Sequence, residues 1–110
     1  MSYQVRVLLL AQYDVEEIFD YLRSRSPEGA ASWYRAWRSM LLRVAENPFA
    51  FGFAPENGRR SYELRQSMFK TPQGRRYRAV FSVLEKEVRI IRVRSPGQRP
   101  MRAGEMPLSP

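Results

Sequence analysis

The sequence predicts an α+β domain: an N-terminal strand, an antiparallel helical hairpin, and an antiparallel sheet of about four strands on which the hairpin packs. Three observations carry this. Two segments with apolar residues at helical spacing follow each other between residues 11 and 46. Three segments with period-two alternation follow between residues 61 and 94. The turn between the helices is short enough to force an antiparallel pair, so both helices lie on one face of the sheet.

The elements are justified in order. Tyr3 to Leu10 reads as a strand, with Val5, Val7 and Leu9 on one face and Leu8 and Leu10 on the other. Ala11 to Arg25 reads as a helix, because Val15, Ile18, Phe19 and Leu22 fall at i, i+3, i+4 and i+7. Its acids lie near the start and Arg23 and Arg25 at the end, as the helix dipole prefers. Ser26-Pro27-Glu28 starts a second helix, with a capping serine, proline at the first position and an acid in the first turn. That helix runs to about Glu46, with Ala30, Tyr34, Trp37, Leu41 and Val44 along one face, Trp33 and Met40 widening it, and Asn47-Pro48 ending it.

Residues 48 to 60 read as a loop whose Phe49, Phe51 and Phe53 pack onto the domain. Ser61 to Phe69 alternates, with Tyr62, Leu64 and Met68 opposite Glu63, Arg65 and Ser67. Thr71-Pro72-Gln73-Gly74 marks a turn. Arg76 to Leu84 sets Tyr77, Ala79, Phe81 and Val83 against Arg78, Val80 and Ser82. Glu85-Lys86 is a tight turn lacking the usual Gly or Asn. Val88 to Arg94 turns Val88, Ile90 or Ile91, and Val93 toward a core, leaving Arg89, Arg92 and Arg94 for the rest. Residues 1–102 are expected to form one domain and residues 103–110 a flexible tail containing Pro and Gly.

Composition removes whole classes of chemistry. With no cysteine and no histidine, disulfides, Cys/His zinc sites, catalytic triads and histidine acid–base catalysis are all excluded. Any reaction runs on Arg, Lys, Tyr, Asp or Glu. Val5 to Ala11, the most apolar run, is too short to span a bilayer and carries Arg6, so a cytoplasmic protein without a membrane partner is expected. The net charge of +8 is unevenly placed: residues 1–50 hold six basic and six acidic side chains, and residues 51–110 hold thirteen and five. Seventeen of the nineteen basic residues are Arg, whose planar fork suits phosphate and carboxylate.

The alternation places Arg65, Arg75, Arg76, Arg78, Arg92, Arg94 and Arg99 on or beside neighbouring strands. Such a cluster suits an anion, either an RNA phosphate or an acidic protein segment; the alternative is a solvated face paired locally with Glu63, Glu85 and Glu87. The aromatic set Trp33, Trp37, Phe49, Phe51 and Phe53 reads as core packing rather than a base-stacking platform. Asp14, Glu16, Glu17 and Asp20 read as helix surface rather than a metal site.

The order of elements and four landmarks resemble the RelE/ParE superfamily of toxins from type II toxin–antitoxin modules. The landmarks are the helix stop at Asn47-Pro48 before the aromatic loop, Tyr62-Glu63-Leu64-Arg65, Arg76-Tyr77-Arg78-Ala79-Val80-Phe81, and Val88-Arg89-Ile90-Ile91-Arg92-Val93-Arg94. The resemblance implies a small cognate antitoxin as partner, mRNA on the ribosome or DNA gyrase as target, and no cofactor or metal. If RNA is cut, it implies attack by a ribose 2′-hydroxyl. Arg78 and Arg94 would then stabilise charge, and Arg65 or Lys70 would orient the phosphate, with Glu63 or Tyr77 as the available bases. Arg75, Arg76, Arg92 and Arg99 would complete the surface for nucleic acid or antitoxin. Three departures stand out. A C-terminal tyrosine used by some members has no equivalent after Arg94. Ser95 replaces a histidine frequent at that place, and Glu63 replaces the first of two basic residues. Only part of the nuclease set is therefore present, and the gyrase-poisoning branch stays open, as does a non-catalytic basic binding module of the same fold.

Overall fold

A computed structural model describes residues 2–110. Its elements are β1 (Gln4–Val7), α1 (Leu9–Arg25), α2 (Pro27–Glu46), β2 (Arg65–Phe69), β3 (Tyr77–Leu84) and β4 (Glu87–Arg94), with single 3₁₀ turns at Pro48–Ala50 and Ala103–Glu105. The sheet order is β1-β4-β3-β2. β3 runs antiparallel to both neighbours, but β1 lies parallel to β4, from Gln4 opposite Glu87 to Val7 opposite Ile90. The α+β class holds, and the sheet is mixed rather than wholly antiparallel. A parallel pair needs a long connection, and the helical hairpin and strands between β1 and β4 supply it.

The expected first strand ends early. Leu9 and Leu10 belong to α1 and are exposed, while Leu8 is the last residue before the helix. A continuous apolar run suits strand and helix equally, so its period could not place the boundary. The Gln12 amide donates to the Val7 carbonyl at 2.9 Å and fastens the junction. The second helix starts as expected: Ser26 Oγ accepts from the Gly29 N–H at 3.0 Å, with Pro27 at the first helical position. Its buried stripe is Ala30, Trp33, Trp37, Met40 and Val44, and Tyr34 lies outside it.

One core lies between the helices and the sheet. Trp33, Trp37, Met40 and Val44 meet Phe69, Ala79, Phe81, Val88, Ile90 and Val93, and the inner faces of Val15, Ile18, Phe19 and Leu22 close it. A second, smaller core lies on the opposite face, where Ala54, Leu64, Val80, Ile91, Met101 and Met106 pack with Leu8 and Tyr62. A β-bulge shifts the alternation of β4, so that Val93 joins Val88 and Ile90 in the helix-side core. Val80 faces Arg92 and Phe81 faces Ile90, so Ile91 is the extra residue. Ile90 turns to the helices and Ile91 to the second core, which settles the choice the alternation left open.

The second core corrects the expectation of a flexible tail. Residues 103–110 lie along the sheet face opposite the helices. Met106 is buried, its carbonyl accepts from Arg60 at 2.9 Å, the Tyr62 hydroxyl donates to the Pro107 carbonyl, and Arg89 donates to that of Pro110. Val80 and Ile91 are apolar on that face, and Met101 and Met106 cover them. β2 also begins later than expected. Ser61 to Leu64 are outside the strand, and Met68 is exposed whereas Ser67 and Phe69 are buried. The aromatic loop divides: Phe51 meets Phe81 edge-on, while Phe49 and Phe53 stay half exposed.

Candidate basic site on the sheet

Strand register decides which arginines meet. Arg78 and Arg94 are direct partners on β3 and β4, on the face turned to the second core. Arg65 is the partner of Phe81, whose ring sits in the helix-side core. Side chains alternate faces along a strand, so Arg65 leaves the sheet on the side opposite to Arg78 and Arg94. The three candidate catalytic arginines therefore do not converge.

Each has its own environment. The Arg65 guanidinium lies between the rings of Phe49 and Phe53, 5.2 and 4.5 Å from their centroids, donates to the Phe51 carbonyl at 2.7 Å, and stands 3.2 Å from Glu63. It pins the aromatic loop to the edge of the sheet. Arg78 makes a two-pronged bond to Glu56, 2.9 and 2.5 Å, and a third contact to Gln66 at 3.2 Å. Glu56 is fully buried and also accepts from the Met101 N–H at 2.8 Å. Burial alone pushes the Glu56 carboxyl up, but the bonds from Arg78 and Met101 outweigh it and hold the carboxyl below its ordinary value. Arg94 has no such partner. It is 6% exposed, donates to the Arg99 carbonyl at 2.7 Å, and its Nε lacks an acceptor. Burial, with Arg92 and Arg78 nearby, lowers its affinity for the proton.

The remaining candidates spread over the surface. Arg92 is held by Asp14 of α1 at 2.7 and 2.9 Å and donates to the Glu105 carbonyl at 2.8 Å. Its bond to Asp14 raises its pKa. Asp14 also accepts the Val93 N–H at 2.9 Å, filling the place a neighbouring strand would take beyond the end of β1. Arg99 pairs with Glu105 at 2.7 Å. Lys70, Arg75 and Arg76 are exposed. Arg75, Arg92 and Arg94 line a cleft of about 580 Å³ between α1 and the end of β4, together with Asp14, Glu17 and Tyr21.

The two available bases sit in different surroundings. Glu63 is exposed and engaged by Arg65. Tyr77 packs against Trp33 and Phe69, and burial pushes its pKa up, away from ionisation at neutral pH. Among the described residues, no three Asp or Glu side chains gather as a metal site, and no helix is long and apolar enough to cross a membrane.

A family model described as ParE toxin of type II toxin–antitoxin system, parDE, matches residues 5–100. The chain belongs to the ParE toxin family. No curated protein matches it. As a ParE family member it is the toxin of a type II toxin–antitoxin module, and a cognate antitoxin is its partner. The matched span runs from β1 past the end of β4 and so includes both cores of this toxin except Met101 and Met106. Sequence reasoning missed three carboxylates that define this ParE toxin's charge pattern. Glu56 lies in a loop without a period, Asp14 reads as ordinary helix surface, and Glu105 lies in the expected tail. The one available signal was that few acids occur in a strongly basic half, so each had many cations to meet.

Proposed function

We propose that this toxin arrests growth by acting on DNA gyrase, leaves mRNA intact, and is neutralised in the cytoplasm by an acidic segment of its antitoxin laid over the basic sheet. One observation carries the reading: Arg65 stands on the opposite face from Arg78 and Arg94, while Arg78 is engaged by buried Glu56. A phosphoryl-transfer site needs its cations aimed at one group, with a base in reach. A toxin that works by binding needs neither. Tyr77, half-buried against Trp33 and Phe69 with its pKa raised, and Glu63, tied to Arg65, leave the alternative of RNA cleavage without a poised base.

The test is induced expression with growth, transcript integrity and plasmid supercoiling read from the same cultures. Arrest with full-length transcripts and relaxed plasmid is expected, relieved by co-expression of the antitoxin. Arrest with cut transcripts and normal supercoiling would sink the proposal. Unimpeded growth would favour a binding module of the same fold.

A further inference from the structure

Most of the half-buried arginines of this toxin have a carboxylate partner. Arg65, Arg78, Arg89 and Arg92 pair with Glu63, Glu56, Glu87 and Asp14, and the more exposed Arg99 pairs with Glu105. One cluster differs. Arg43 in the last turn of α2, Lys70 just after β2 and Arg76 just before β3 line a single open cleft of about 440 Å³ with Met68 and Phe69. All three cations are exposed, no carboxylate lines the cleft, and none of the three makes an ion pair among the described residues. Three like charges held together without a counter-charge repel one another, and a polyanion relieves that repulsion.

We infer that this cleft is a contact surface for the phosphodiester backbone of duplex DNA. Long, exposed cations suit phosphates, which are met at the surface and need no deep pocket. A single-stranded nucleic acid calls for aromatic rings on which unstacked bases lie. The one ring here, Phe69, is 4% exposed and sits against Trp33 and Trp37, so it offers no platform. The inference deepens the proposal above, because gyrase holds duplex DNA while it works, and a toxin docked on it meets that backbone.

The experiment uses the full chain, without gyrase and without cells, so its failure is separate from failure of the growth-arrest reading. Fluorescence anisotropy measures affinity for a labelled DNA duplex of about 20 base pairs between roughly 50 and 200 mM salt. The test variant carries Arg43→Gln, Lys70→Gln and Arg76→Gln. A control carries Arg25→Gln, Arg35→Gln and Arg38→Gln, three exposed cations of the helical hairpin. Each phosphate contact contributes a slope of about −0.9 in log K against log salt, so the test variant should lose about 2.7 from the slope. That equals roughly 40-fold less salt sensitivity over the range, with the control close to wild type. The inference is overturned if wild type does not bind, if the test variant keeps its slope, or if the control loses as much. A single-stranded RNA of equal length binding more tightly than the duplex overturns it too. In those cases the three cations serve only to guard the open edge of β2 and the end of α2.

Discussion

Two arginines facing each other across β3 and β4 differ in thermodynamic role. Arg78 neutralises a carboxylate that is wholly inside the protein, so replacing it strands a buried charge, which costs about 3–5 kcal/mol. Arg94 is more buried than Arg78 but balances no carboxylate directly, and its Nε is unsatisfied. Arg78→Met is therefore expected to lower the urea unfolding free energy by about 3–5 kcal/mol, and Arg94→Met to change it by less than about 1 kcal/mol. Adding Glu56→Gln to Arg78→Met should recover much of the loss, and a double-mutant cycle reads the coupling. Equal effects of the two arginine variants would refute this account. Glu85 gives a second prediction at this scale. It turns the β3–β4 hairpin with φ of 55°, a left-handed conformation that a side chain disfavours. Glu85→Gly is expected to stabilise by up to about 1 kcal/mol, seen as a higher urea midpoint with an unchanged slope, because relief of the left-handed strain outweighs the added freedom of the unfolded chain.

Among the elements, the C-terminal segment shows how local weakness is overcome by a prepared surface. Its 3₁₀ turn is too short to be stable alone. It is held because Glu105 accepts from the Arg102 N–H at 2.9 Å and from Arg99 at 2.7 Å, while Met106 enters the second core. The Arg99 bond, reinforced by the Arg102 N–H, pulls the Glu105 carboxyl from 4.5 to about 2. A carboxylate whose folded pKa is depressed stabilises fully above its unfolded value and loses that contribution as pH falls through the folded one. The segment should accordingly stay docked at pH 5 and above, and loosen as pH falls from about 4.5 toward about 2. The lowered Glu56 carboxyl acts with the same sign on the same segment through Met101. Methyl resonances of Met101 and Met106 followed through an acid titration measure it. Glu105→Gln should remove Glu105's share of the pH dependence.

Across the whole molecule, two cores share one sheet, and β3 and β4 contribute to both. Separating the shared strands opens both cores, so the toxin should unfold globally as one cooperative unit. Fluorescence of Trp33 and Trp37 reports the helix side, and hydrogen exchange at the Leu64 N–H, bonded to Asn57 at 2.9 Å, reports the other. Both probes should return the same unfolding free energy. A lower value at Leu64 would show the second core opening by itself. The charge is organised on this scale as well. Acids drawn from α1, the loop before β2 and the C-terminal segment neutralise Arg92, Arg78 and Arg99, leaving the excess on exposed cations such as Lys70, Arg75 and Arg76.

What the sequence determined by itself was whatever rests on local period and local capping. The second helix from Pro27 to Glu46, the alternation of β3 and the composition that removes cysteine and histidine chemistry are all local properties. The motif order likewise sufficed to point to the toxin family that the family comparison establishes. The tertiary structure alone decided the parallel pairing of β1 with β4, the bulge that brings Val93 into one core with Val88 and Ile90, and the burial of Met106. It also decided that Arg65 and Arg78 part company across the sheet and that Glu56 meets Arg78 from 22 residues away. The physical reason is one of range. Periodicity records which face of an element is apolar, whereas ion pairing, register and the covering of a second sheet face depend on residues distant in the chain that only the folded molecule brings within bonding distance.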